Sequence, residues 1–182
     1  MQYLRCVLPV GLVLLMAGCA APKVVDAPVE TALPAVQSAF WDDLAAAQDG
    51  EWFYLLNSGE EALQSRLRMI DSATSSIDME TFLWSPDRAG RLIQAHILAA
   101  ADRGVRVRFL LDDSFTAHED LALHAFDDHR NIELRIYNPM YQRSNNTLFR
   151  TLFNLGDFAR TNHRMHNKLL VVDGRVALVG GR

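Results

Sequence analysis

The chain has 182 residues, 49% of them hydrophobic, and roughly 145 of these beyond its N-terminal segment can bury a core of their own. Lysine and arginine number 18 against 22 acidic residues, giving a net charge of −4 and a pI near 5.8; this argues against the basic face of a nucleic-acid-binding protein but leaves a local basic groove open. The two cysteines, Cys6 and Cys19, both lie near the N-terminus, so the rest of the chain excludes a disulfide framework and a cysteine-based metal site.

At the N-terminus, Arg5 precedes the apolar run Cys6 to Ala17 and then Gly18 and Cys19, a short basic start followed by a stretch of signal-peptide length. The run is too short for a transmembrane helix, which needs about 20 apolar residues. Met16-Ala17-Gly18-Cys19 resembles a bacterial lipobox, with Met16 where Leu is usual. The resemblance implies removal of residues 1–18 and acylation of Cys19; an ordinary secretory signal cut nearby is the alternative. Acyl chains, at roughly 0.8 kcal/mol per buried CH₂, would anchor the protein to a bilayer. Ala20 after the cysteine favours, by resemblance to lipoprotein sorting, the outer membrane of a bacterial cell envelope, with the domain facing the periplasm. Residues 19–37, rich in Ala, Pro and Val, read as a tether, and residues 38–182 as the domain.

Ser58 to Glu61 is a capping box opening a helix with Leu63, Leu67 and Ile70 on one face. Ile77 to Trp84 alternates as a strand, and Arg88 to Arg103 is a helix with Leu92, Ile93, Ile97 and Ala100 at helical spacing, stopped by Gly104. Val105 to Asp112 is the next strand, His118 to Asp127 a helix and Ile132 to Tyr137 a strand. Asn145 to Thr161 reads as mixed helix and loop. Lys168 to Asp173 and Arg175 to Val179 are β-branched runs joined at Asp173-Gly174, a hairpin signal. Strand-helix-strand alternation predicts an α/β layered fold with a largely buried sheet.

The last hairpin carries the chemistry. His166, Lys168 and Asp173 stand at the spacing H-x-K-x4-D, and Gly180-Gly181 follows after six more residues. Residues two apart on a strand face one side, so His166 and Lys168 project together: a nucleophilic imidazole beside an ammonium suits attack on an anionic phosphodiester. Asp173-Gly174 taken alone reads as a type I′ turn with Asp there for turn chemistry, and His166, Lys168 and the double glycine in register turn the reading to the motif. Glu80, in a strand suited to burial, needs a partner and reads either as a support for the site or as a structural hydrogen bond. Arg160, His163 and Arg164 form a basic cluster before the motif, suited to lipid headgroups or to solvent. Asp112-Asp113 is an acidic pair that reads as a strand end, where Asp is common, or as a substrate contact. His96, His124 and His129 read as surface or packing residues. His118-Glu119 is followed by Ala122, so H-E-x-x-H fails.

With the runs Ile77 to Trp84, Asp87 to Leu92, Ala99 to Asp113, Asn131 to Pro139 and Asp157 to Met165 in this order before it, the motif resembles that of the phospholipase D superfamily, in its cardiolipin synthase and lipoprotein branch. The resemblance covers about residues 40 to 182. It implies a mixed β-sheet flanked by helices on both faces, one of two expected halves. It also implies a phosphatidyltransferase acting through a phosphohistidine, with His166 as nucleophile or, if roles are swapped, as acid. Lys168 would neutralise phosphate oxygens and Asp173 would support an imidazole, either in this motif or in the partner motif. Glu80, Arg164, Gly180 and Gly181 are candidate substrate contacts, though Gly-Gly departs from the commoner Gly-Ser. No cofactor and no metal are implied. The expected partners are phospholipids of the phosphatidylglycerol type as donor and acceptor, the membrane through a lipid anchor, and a second motif.

Family members need two such motifs, and one is found here. The chain therefore reads as the N-terminal half of a two-motif protein, truncated after the motif. Two rivals remain: a single-motif phosphodiesterase or endonuclease that completes its site as a homodimer, and an inactive fragment. Net charge and the lipobox weigh against nucleic acid as a partner.

Overall fold

The computed structural model describes residues 39–46, 53–114, 116, 120–140, 148, 152, 156 and 162–180. The readings made for Cys19, the tether, Gly181 and, single positions apart, Asn145 to Thr161 lie outside those residues. Helix α1 spans Ala39–Ala46, α2 Gly59–Ser72, α3 Arg88–Asp102 and α4 Asp120–Asp127; the strands are β1 Ser76–Thr81, β2 Arg106–Asp112, β3 Ile132–Tyr137, β4 Lys168–Val172 and β5 Val176–Val179.

Local chemistry sets the helix ends. Ser58 has extended backbone and its hydroxyl accepts from the Glu61 amide at 3.1 Å, while the Glu61 carboxylate accepts from the amide of Asn57, one residue before the cap. At α3, the Asp87 carboxylate accepts from the Gly90 amide at 2.8 Å. A Cβ on Gly90 would lie 1.9 Å from the Ser85 carbonyl oxygen, so only glycine allows this turn to close. Gly104, at φ 97°, ends the helix in a conformation that side chains disfavour. The buried stripe of α3 is Ile93, Ile97, Ala100 and Ala101. Leu92 is not part of it: at 40% exposure it falls on the flank occupied by His96, whose ring meets Asp71 at 2.6 Å.

The five strands form one sheet in the order β3-β2-β1-β4-β5. β1, β2 and β3 run parallel, joined through α3 and α4, and the β4-β5 hairpin adds antiparallel to β1. The register aligns Met79 with Phe109 and Leu170, and Ile77 with Val107 and Val172. These residues, with Leu111, Ile132 and Leu178, make one face of the sheet, which closes a single cluster with Ile70 of α2, the α3 stripe, and Leu123 and Phe126 of α4. Phe109 lies at its centre, edge-on to Trp84 and Phe126. Among the described residues the opposite face carries charge at the alternate positions: Asp78 binds Arg108, and Glu133 binds Arg106 and Arg135. The α/β class and mixed sheet expected from the sequence are therefore present, with β1 starting one residue earlier and ending three residues earlier than the alternation suggested.

Candidate functional site

The His166–Lys168 part of the motif lies at the carboxyl ends of the three parallel strands, the end at which α/β sheets receive ligands. Thr81, the last residue of β1, pairs with Lys168, the first of the antiparallel β4, which brings Phe82 beside the segment carrying His166. The imidazole of His166 packs edge-on against the Phe82 ring with centroids 4.2 Å apart. The Lys168 Nζ stands 5.6 Å from the same ring's centroid and donates to the His166 carbonyl at 2.8 Å. Imidazole and ammonium thus both lie close to the Phe82 ring at this end of the β1-β4 pair. His166 is exposed and Lys168 half-buried, an arrangement open to a substrate from solvent or a lipid surface.

Asp173 is elsewhere. It follows the far end of β4, roughly 20 Å of extended chain from His166, with φ 54° beside Gly174 at 65°, both in the left-handed region that a type I′ turn requires. Its carboxylate, with the residue 0% exposed, accepts from the amides of Ser75 at 2.8 Å, Ser76 at 2.9 Å and Thr74 at 3.0 Å, and from the Thr74 hydroxyl at 2.9 Å. Burial pushes this carboxyl up; the donors from Ser76, Ser75 and Thr74 outweigh it and hold the group below the usual carboxylate range. The expectation that Asp173 supports an imidazole of its own motif fails on this geometry, because the side chain binds the α2-β1 loop at the other end of the strand.

Arg164, expected among substrate contacts, is also turned inward. Its guanidinium bonds the Asp112 carboxylate and the Asn138 carbonyl, each at 3.2 Å. Asp112, 0% exposed, also accepts from the Met165 amide at 2.9 Å and from the Ser114 amide and hydroxyl at 2.8 and 2.6 Å. Asp113 accepts from the Thr116 hydroxyl at 2.8 Å and the Met140 amide at 2.6 Å. Asn138, at φ 49°, donates to the His163 carbonyl at 2.7 Å. The acidic pair ending β2 therefore ties the loops after β2 and β3 to residues 163–165, the lead-in to His166. Glu80 sits on the sheet face opposite Lys168 and accepts from the Asn167 side chain at 2.9 Å. It steadies the residue between the two reactive groups and does not point at them.

Gly180 donates its amide to the Lys168 carbonyl at 3.2 Å, and a Cβ there would meet nothing within 4 Å, so its place next to the motif does not rest on lack of a side chain. His96 and His129 pair with Asp71 and Asp102 on helix surfaces, and His124 is exposed. Phe82 is the position beside the motif that residue patterns did not single out, and the Asp112-Asp113 pair, which they did, binds the loops around it. A ring at the end of β1 and a double carboxylate at the end of β2, both facing the same loops, are the available signals.

The sequence pattern of the family described as cardiolipin synthase, PLD-like domain, matches residues 67–182. Cardiolipin synthase C of Escherichia coli K12 is 45% identical over 127 residues, covering 70% of this chain and 26% of that protein. Cardiolipin synthase B of the same strain is 33% identical over 144 residues, covering 74% and 30%. Among solved structures, NucT from Helicobacter pylori aligns with TM-score 0.49 at 18% identity, over 71% of this chain and 70% of that one. Nuc from Salmonella typhimurium, a phospholipase D family member, aligns with TM-score 0.43 at 24% identity, over 65% and 61%. The chain spans about a quarter of the length of the first of these curated relatives.

Proposed function

The chain belongs to the cardiolipin synthase, PLD-like domain family, within the phospholipase D superfamily, and from that premise we propose that it carries the phosphate-attacking part of a phosphatidyltransferase that exchanges phosphodiesters between phospholipids. The observation that carries this reading is the approach of both the His166 imidazole and the Lys168 ammonium to the one Phe82 ring. An imidazole nitrogen of His166 attacks phosphorus, a phosphohistidine forms, and the P–O bond to the departing alcohol breaks. The acceptor hydroxyl of a second lipid then attacks phosphorus, the P–N bond breaks and the imidazole is restored. Splitting the exchange in two replaces one hard displacement by two easier ones. Lys168 offsets charge on the non-bridging oxygens, where an ammonium in a partly desolvated site acts most strongly.

A general acid must protonate the leaving alkoxide and later deprotonate the acceptor, a contribution of about 10² to 10⁴ in rate. We assign that acid to a second motif, in cis or from a homodimer partner. Acylation at Cys19 would place the reaction at the periplasmic surface of a bacterial membrane, where both lipid substrates reside. The cardiolipin synthase relatives support phospholipid as substrate.

The test is phosphatidylglycerol exchange by the full-length protein in vesicles, read by mass spectrometry of the lipid products. His166→Ala is expected to lower exchange by at least about 10³-fold with the unfolding midpoint unchanged, and the wild-type peptide containing His166 to carry a phosphatidyl group through an acid-labile P–N bond. Normal exchange by His166→Ala removes His166 from the nucleophile's role.

A further inference from the structure

We propose that Phe82 is the positioning residue of this site: one ring fixes both the His166 imidazole and the Lys168 ammonium at the same end of the β1-β4 pair. The proposal rests on the phosphotransfer reading and deepens it. His166 is exposed and sits in residues 163–167, which have no regular structure, so its side chain needs something to restrict its rotamers. Phe82 supplies a surface at a centroid distance of 4.2 Å with the planes 74° apart, and Lys168 Nζ stands 5.6 Å from the centre of that surface. Among the described residues, Phe82 is half-buried and belongs neither to the buried cluster nor to the partly buried residues packed against it. Its backbone is set by the Thr81–Lys168 pair one residue earlier, so the ring is delivered by the same register that delivers the ammonium.

The two contacts differ in kind. The ring against the imidazole is an aromatic pair that favours one arrangement by roughly two- to tenfold. The ammonium against the ring is a cation–π contact worth roughly two- to fivefold at an exposed site. Both need the π-system; an aliphatic side chain of similar bulk fills the space and supplies neither. Holding nucleophile and cation in attack geometry is the kind of pre-organisation that raises kcat more than it lowers KM.

The experiment compares Phe82→Leu with Phe82→Tyr in the full-length protein. Exchange in phosphatidylglycerol vesicles gives kcat and KM, and histidine-labelled NMR follows the His166 ring protons, assigned by the signal missing in His166→Ala. Phe82→Leu is expected to lose about tenfold in kcat with KM within about twofold, and to move the His166 signal to the position of a solvated histidine. Phe82→Tyr restores both, and neither variant shifts the unfolding midpoint. The proposal is overturned if the Leu variant matches wild type in kcat, if the Leu and Tyr variants fall equally, or if the His166 signal stays in place in Phe82→Leu. If wild type exchanges no phospholipid while the signal still moves, the lipid reading falls and the grip of Phe82 on the imidazole stands.

Discussion

Asp173 belongs to the motif by spacing and to the scaffold by contact. Four donors from Thr74, Ser75 and Ser76 surround a fully buried carboxylate and hold it below its ordinary range, against the upward push of burial. A carboxyl whose folded value lies below the unfolded value of about 3.9 contributes its stability above that pH and loses it as pH falls through the lower folded value. Asp173→Asn puts an amide NH₂ among N–H donors and is expected to cost on the order of 3 kcal/mol at neutral pH. In urea unfolding the gap between wild type and variant should narrow below about pH 4; a constant gap across that range would mean the ionised form is not what the loop binds. From the sequence, both readings of Asp173 were available, and the turn reading describes the backbone correctly. What it could not reveal was the partner, since residues 74–76 lie nearly a hundred positions upstream and nothing in their composition marks them as donors. His166 and Lys168 were legible because their separation of two is a property of the strand itself.

At the level of elements, what surrounds His166 is a junction of loops. Asp112 at the end of β2 gathers Ser114, Arg164 and the Met165 amide, while Asn138 past β3 holds the His163 carbonyl. The Arg164 side chain is 14% exposed, so it is a buried ion whose partner must be present. Asp112→Ala is expected to destabilise by about 3–5 kcal/mol, read from the urea midpoint, and adding Arg164→Leu should recover part of that loss by removing the stranded charge. A double variant as unstable as the single one would show that the pair's charges are not coupled. Strand and helix positions followed from periodicity and caps, and β3 falls on Ile132–Tyr137 as the pattern indicated. The inward turn of Arg164 did not follow, because a cationic cluster before a motif looks the same in sequence whether it faces solvent or a buried carboxylate.

Across the whole molecule, one apolar face of a five-stranded sheet carries the described core, and its alternation was plain in the sequence. Phe109, 1% exposed at the centre of that face, is the residue on which most of the layers meet. Phe109→Ala is expected to cost about 3–5 kcal/mol, a large share of the 5–15 kcal/mol typical of a domain. Denaturation followed by circular dichroism and by tryptophan fluorescence should shift together; a shift in fluorescence alone would mean that the cluster is not one cooperative unit. The hairpin strand β4 joins this core to the chemistry: one end delivers the ammonium and the other is moored by Asp173 to the start of β1. The four residues between Lys168 and Asp173 thereby act as a ruler cut to the width of the sheet. One residue more or fewer would reverse which side of the ribbon carries the ammonium while the mooring stayed where it is, so the interval in the motif measures a distance in the scaffold as much as it records a set of side chains.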